Sequence, residues 1–471
     1  MLNRAIANFD QKILDQIHHF SIEILDETGI RFPSEQALEV FKKHGFRVDG
    51  ETVFFTEKQV EQALATVPTQ FKVHSRNGNR SICIGDDGYV LAPGYGPPFI
   101  IKADGSMRQA VLDDVSKFCK LVQMADCLDF NSSIVVQPND VPQETAHLDI
   151  LLETICMTDK PLMGSSSSGK AAKESLALAK ILWGKIDNPV MISLVDSLSP
   201  LQYASEMADA LVVYAEAGQP LIIHSSCSMG TTGPITLAGS LVLSNSATLA
   251  GICLSQIVNP GTPVIYGLGG SPTEMKTGGY INASPEDAKH TAIVTALGSY
   301  YKIPCRSQGA LTESFSLDYQ AGMESTMMLT SGALSGSNVC LHATGTYGSM
   351  LAMSYEKVMA DVDLCGAIKK LLQPVEFSED TFAIELIKEM GAKGNYLMQS
   401  HTHKRCRTEF YIPDLNIRTN HTKWMDMDQR EMIDRAGKLV KQQLDQYQKP
   451  DIDPSIEKDL VTFITRQKTE T

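Results

Sequence analysis

The chain has 471 residues, of which 43% are hydrophobic and 20% charged, an ordinary globular composition with enough apolar side chain for a large core without disulfides or metals. Its formal charge is −14, and acids and bases interleave, so no Lys/Arg stripe exists to release counterions from a nucleic acid, which excludes that class of partner. The length fits one (β/α)8 barrel with terminal extensions.

The first residues, MLNRAIANFDQKILDQIHHF, make a charged amphipathic pattern without a basic start and apolar stretch, so no signal peptide is expected. No apolar run approaches a membrane span. Ten scattered cysteines with no CxxC pair read as the reduced thiols of a cytoplasmic protein.

Residues 1–85 read as helix, helix, a short hairpin around VDGETVFF, helix and a short β segment, an N-terminal α+β cap. Eight short β-rich runs follow, at 88–94, 131–137, 161–166, 189–195, 220–226, 263–268, 303–309 and 338–344. Between them lie longer patterns with apolar residues at i, i+3, i+4 and i+7, as helices covering a sheet require. Helix stops at Gly218-Gln219-Pro220, Asn259-Pro260-Gly261 and Ser335-Gly336 each precede a strand. The expectation is an α/β fold, a (β/α)8 TIM barrel over 86–365, with a doubly wound open sheet as the alternative. Residues 366–471 are expected as a C-terminal helical extension, with a helix over DMDQREMIDRAGKLVKQQLDQY and a polar, frayed tail.

In such barrels chemistry sits at the C-terminal ends of the strands. Those ends carry Tyr95, Gln137, Ser165 to Ser168, Asp196, His224, Gly267 to Gly270, Gln308, Glu313, Phe315, His342 and Tyr347. They hold neither a carboxylate pair at glycosidase spacing nor a lysine placed for a Schiff base. Gly164 to Lys170 matches GxxxxGK, but Ala171 stands where a phosphate-binding loop needs Ser or Thr to hold magnesium. His401, His403 and Cys406 have zinc-like ligand types, yet they fall beyond the eighth strand and read as a polar segment ahead of an aromatic strand, so no metal is assigned and a zinc-dependent methyl transfer is kept as the minor variant.

Several segments in order resemble one family: APGYGPPFI (92–100), DVSKFCKLVQMADCLDF (114–130), TDKPLM (158–163), SPLQYASEMADALVVYAEAGQP (199–220), TGPITLAGSLVLSNSATLAG (232–251), SQIVNPGTPVIYG (255–267), DYQAGMES (318–325), SYEKVMADVD (354–363) and EFYIPDLNIR (409–418). Together they resemble the trimethylamine methyltransferase (MttB) family, barrel proteins that demethylate amines onto a corrinoid protein. The trimethylamine enzymes carry a pyrrolysine in the loop after the seventh strand, about where this chain reads LTESFSLD (311–318). Its absence implies a quaternary amine substrate such as glycine betaine, proline betaine or carnitine, with trimethylamine as the alternative. The chain has no DxHxxG-type corrinoid-binding segment, so the resemblance implies that Co(I) cobalamin arrives on a partner corrinoid protein and is not tightly held here.

A quaternary ammonium leaves as a neutral amine and needs no general acid, so the protein has chiefly to hold the cation in line. By strand position alone, Tyr95, Phe99, Phe315 and Tyr347 are the aromatic candidates for cation binding. His342, His224, Gln308 and Arg306 are candidate donors to a substrate carboxylate. Arg306 lies inside a strand run and could instead be an internal ion-pair partner. Glu313 and His342 are the candidate catalytic groups. A nucleotide-dependent enzyme using 164–170 and a non-catalytic betaine-binding barrel are the competing readings. A symmetric homo-oligomer is expected.

Overall fold

A computed structural model describes residues 10–428 and 431–470. The N-terminal part runs α1 (Gln11–Glu27), β1 (Ile30–Arg31), α2 (Glu35–Lys43), β2 (Arg47–Asp49), β3 (Thr52–Phe54), α3 (Glu57–Leu64), β4 (Phe71–Val73) and β5 (Ile82–Ile84). The helix starts are written in the sequence: Ser34 accepts the Ala37 N–H, and Thr56 with Gln59 forms a reciprocal capping box. This region shares one hydrophobic cluster with later helices, in which Phe32 stacks on Tyr203 at a centroid distance of 4.8 Å. A stacked pair of this kind adds about 0.5–1.5 kcal/mol beyond its area burial.

The central part alternates strands and helices: β6 (Val90–Leu91), β7 (Phe99–Ile101), β8 (Met107–Gln109), α4 (Leu112–Met124), α5 (Ala146–Met157), β9 (Leu162–Gly164), α6 (Gly169–Trp183), β10 (Met191–Asp196), α7 (Ser205–Glu216), β11 (Leu221–Met229), α8 (Leu237–Val258), β12 (Val264–Pro272), α9 (Pro285–Tyr301), β13 (Arg306–Gln308), α10 (Tyr319–Ser335), β14 (Val339–Leu341), β15 (Thr346–Tyr347), β16 (Ala352–Met353) and α11 (Tyr355–Leu372). β9, β10, β11 and β12 form one parallel sheet, and β13, β14 and β6 another. A parallel bridge between Tyr266 and Cys305 joins the two at β12. This is an α/β fold whose strands are buried between helices, as parallel pairing demands.

Seven of the eight expected parallel strands form where the sequence places them. The second does not: 131–137 has no regular strand. Its backbone donors are spread over different neighbours. Asn131 N–H goes to Pro161 O at 3.2 Å and Gln137 N–H to Pro97 O at 3.0 Å, while just upstream Asp129 N–H reaches Leu91 O at 2.8 Å. A small mixed sheet of β15, β16, β7 and β8, unforeseen in the sequence, lies at the C-terminal end of β14 and β6.

Two further expectations are corrected. Helix α8, at 22 residues, is long and apolar enough to cross a membrane by length and composition, so an apolar run of that class does exist; 72% of its central window is buried inside the protein. The tail is no frayed coil. After α12 (Glu379–Phe382), α13 (Ile384–Met390), α14 (Ser400–Arg405), α15 (His421–Met425) and α16 (Met432–Gln446), it folds as α17 (Pro454–Glu470), whose Leu460 and Ile464 are buried. The expected aromatic strand after Cys406 is likewise not formed, and 401–405 is helical.

Candidate active site

Asp196 ends β10 in register with His224 on β11, which pairs in turn with Gly267 on β12. The His224 Nδ1 atom lies 2.5 Å from Asp196 Oδ1, while its Nε2 is buried without a hydrogen-bond partner. Although Asp196 is set deep among the strand ends, 44% of its side chain is open to solvent. Glycine makes the arrangement possible. A Cβ on Gly267 would fall 2.9 Å from Arg306 Cγ and 3.1 Å from His224 Cδ2, and one on Gly269 would fall 3.0 Å from His224 Nε2. The bare backbone of β12 therefore receives the Arg306 stem and the His224 ring.

Arg306, the first residue of β13, is buried, and its Nε has no hydrogen-bond partner; among the described residues its guanidinium enters no ion pair. Burial lowers its pKa, opposed by Asp196. His342 follows β14 with a φ of 58°, a left-handed conformation that costs energy in a residue with a Cβ. Its Nδ1 is buried and unpartnered, as is Nε2 of His290 on α9. Burial holds both imidazoles down to about 3, with Arg306 adding to the effect at His342. Burial and Arg306 also lower His224. Asp196 goes the other way: burial resists its ionisation, but the His224 hydrogen bond and the Arg306 charge outweigh this and keep it below the usual carboxylate range. The result is a carboxylate, an arginine and three neutral imidazoles with ring nitrogens turned to no protein partner. Such groups can bind an anion and orient a ligand; the imidazoles cannot act as acids near neutral pH.

Of the residues expected from strand position, Tyr95, His224 and His342 come together around Arg306 and Asp196. Tyr95 packs edge-to-face on His342 at 6.3 Å, and burial raises its phenol to about 12. Gln308 ends β13 opposite Leu341. Glu313 is tied into loops: its Oε1 accepts the Asn282 N–H at 2.6 Å, and burial raises its pKa. Phe315 lies exposed against Gly348. Phe99 and Tyr347 pack with Ile101, Ala321 and Ala352; Tyr347 is 1% exposed, with Lys357 Nζ 5.7 Å from its ring centre. His290 escaped sequence reading because it lies within a helix, where no strand-end rule applies.

The tempting motifs are otherwise engaged. Ser168 caps α6 by accepting the Ala171 N–H at 3.0 Å, and Ser166 donates to Leu194 O. The Cys406 thiol donates to its neighbour His403 O at 3.7 Å. Among the described residues no three His, Cys, Asp or Glu side chains are grouped to hold a metal ion.

Residues 2–471 match the family described as trimethylamine methyltransferase (MTTB). The chain is 39% identical over 461 residues to the glycine betaine methyltransferase of Desulfitobacterium hafniense (strain Y51), covering 97% of this chain and 96% of that protein. It is 33% identical to the proline betaine:corrinoid methyltransferase of Eubacterium limosum, over 93% of each chain, and 31% identical to the L-carnitine:corrinoid methyltransferase of the same organism, over 94% of each. With a family match across almost its whole length and relatives above 30% identity along more than nine-tenths of it, the chain belongs to the trimethylamine methyltransferase (MTTB) family.

Proposed function

We propose that this enzyme moves a methyl group from a carboxylated quaternary amine of the glycine betaine class to Co(I) of a partner corrinoid protein. The observation that carries the reading is Arg306, a buried guanidinium at the strand ends whose Nε has no hydrogen-bond partner and which, among the described residues, makes no direct ion pair, Asp196 acting on it only at longer range. A fixed, unpaired cation in that position recognises a carboxylate with two parallel hydrogen bonds, and trimethylamine has no carboxylate to offer. The names of the three relatives, all acting on carboxylated quaternary amines, support the same class.

The chain's own residues then have simple tasks. Arg306 anchors the carboxylate, a charge-assisted bond contributing about 1.5–3 kcal/mol. Neutral His342 and His224 add hydrogen bonds without adding charge. Tyr95 presents an aromatic edge and face near the ammonium, contributing about 0.5–2 kcal/mol. Asp196 holds His224 in place and complements the cation. The corrinoid supplies the nucleophile. As the methyl carbon leaves, the C–N electron pair stays on nitrogen and a neutral tertiary amine departs, so the uncharged histidines are no handicap.

The hydrogen bonds of 129–131 to β6 and to Pro161 just before β9, together with the Tyr266–Cys305 bridge, support closure of the strands into the (β/α)8 barrel over 86–365, with 1–85 as cap and 366–471 as extension. Met107, Leu198, Ile235, Met275, Phe315 and Leu351, on segments that follow the parallel strands in the chain, are exposed, and such apolar side chains are suited to receive the corrinoid protein. Ten free thiols fit a reducing compartment, and we place the enzyme in the cytoplasm.

The test follows conversion of Co(I) cobalamin to methyl-Co(III) by absorbance, with glycine betaine, proline betaine, carnitine and trimethylamine offered singly. Turnover of one carboxylated quaternary amine is expected. Turnover of trimethylamine alone would overturn the assignment.

A further inference from the structure

Beyond α11 the chain runs out into an arm, residues 374–428, before returning as α16. Its helices α12 to α15 have no more than seven residues each, and among its described residues only Leu415 is buried. Helices that short do not persist in water on propensity alone. The apolar side chains that could anchor them face outward: Met398 is 86% exposed, Phe377 76%, Leu397 72% and Phe410 68%, with Phe382 and Ile412 more than half exposed. The three phenylalanines alone present on the order of 400 Å², which already matches the largest apolar patch of a typical monomer.

We infer that this arm is an interface between two copies of the chain, packed arm against arm about a two-fold axis. An arm with no core needs its cover at all times, which obligate association provides and a transient encounter does not. The charge pattern selects a copy of the chain as that cover. Residues 376–389 carry five carboxylates against the single Lys388, and residues 393–423 carry six Lys or Arg against Glu409 and Asp414. In an isologous pair the acidic half of each arm lies over the basic half of the other, so the pattern is complementary to itself. Arg405 and Asp380 already join the two halves within one chain. Beside them a groove of about 240 Å³, lined by Thr381, His401, Cys406 and Phe410 among others, offers a seat for one large apolar side chain of the second copy.

Light scattering on the full-length protein at micromolar concentration tests this directly. The expected mass is at least twice 51.5 kDa, and a particle of single-chain mass would overturn the proposal. A variant combining Phe377→Asp, Leu397→Asp and Phe410→Asp should run as a single chain with its helix content retained; an unchanged mass would also overturn it. Should that variant precipitate, hydrogen exchange of the wild-type arm decides: protection of α13 and α14 should fall by about tenfold or more on dilution to single chains. Protection that ignores dilution, or that arises only when the corrinoid protein is added, would sink the arm-to-arm interface.

Discussion

Two regions of this molecule bury cations in opposite ways. Behind the strands, Lys160 is buried with its Nζ donating to Val122 O, Ala125 O and Leu128 O at 2.6, 2.8 and 2.6 Å. Beneath the strand-end loops, Lys357 donates to Ala310 O, Ser325 Oγ and Asp361 Oδ2. Both ammonium groups have three partners, the full complement they can use. Arg306 on β13 has an unpaired Nε and no ion pair among the described residues. Burying a charge without a partner costs several kcal/mol, so under the proposed function the contrast separates cations that hold the fold together from one that binds the substrate carboxylate. The histidines divide in the same way: His147 bonds Glu174 at 2.6 Å, whereas His290 and His342 leave ring nitrogens unpartnered.

The largest effect expected from this contrast is on stability. Replacing Lys357 by Met leaves Asp361 buried and deprived of its cation, and should destabilise the protein by about 3–5 kcal/mol, read by urea unfolding. The contrast would break if Lys357→Met and Arg306→Leu cost the same. For Arg306→Leu the fold should be unaffected or slightly more stable, while kcat/KM for the betaine falls about a hundredfold, equal to about 2.7 kcal/mol.

Acid provides the next test. A histidine in an unfolded chain titrates near 6.5, but burial holds His290 and His342 at about 3. Below pH 6.5 the unfolded state therefore binds more protons than the folded one. The contribution of these residues to stability is complete above that pH and is lost as pH falls toward 3. The slope should be up to about 1.4 kcal/mol per pH unit for each histidine, and His290→Gln should remove one share of it; a slope unchanged by that substitution would show the ring already charged in the fold. The smallest effect expected is for Gly267→Ala. Its Cβ would press on Arg306 Cγ at 2.9 Å, raising KM for the betaine by about tenfold, about 1.4 kcal/mol, with kcat less changed.

The sequence is most legible where period and position suffice. Seven strand runs stand where alternation and helix stops place them, because each buries apolar residues in a regular parallel ladder. The 131–137 run fails because apolar residues can be buried without a ladder, and the partners of its N–H groups are set by distant chain. The same limit applies at the site. Strand-end position picks out Tyr95, His224 and His342, which lie together, but His290 reaches the cluster from a helix, and the unpartnered Nε of Arg306 is identifiable only once its neighbours are located. Tyr347 lies apart from that group, packed with Phe99, Ile101, Ala321 and Ala352, and its buried hydroxyl has no partner. The C-terminal helix was hidden by composition, since buried Leu460 and Ile464 with partly buried Ile456 and Phe463 dock a segment whose other positions are mostly polar.

Helix α8 has a consequence for how this sequence can vary. Its surface is enclosed on nearly every side, and its polar residues are committed to fixed neighbours: Asn245 donates to Ser21 and Tyr301, and Thr248 to Gly267 O. Helix α1 buries only Leu14, Ile17, Ser21 and Leu25, a single stripe. In a saturation map of substitutions α1 should show tolerance rising and falling every three to four positions, whereas α8 should stand out as an almost unbroken band of intolerance, the stretch where drift among related chains is slowest.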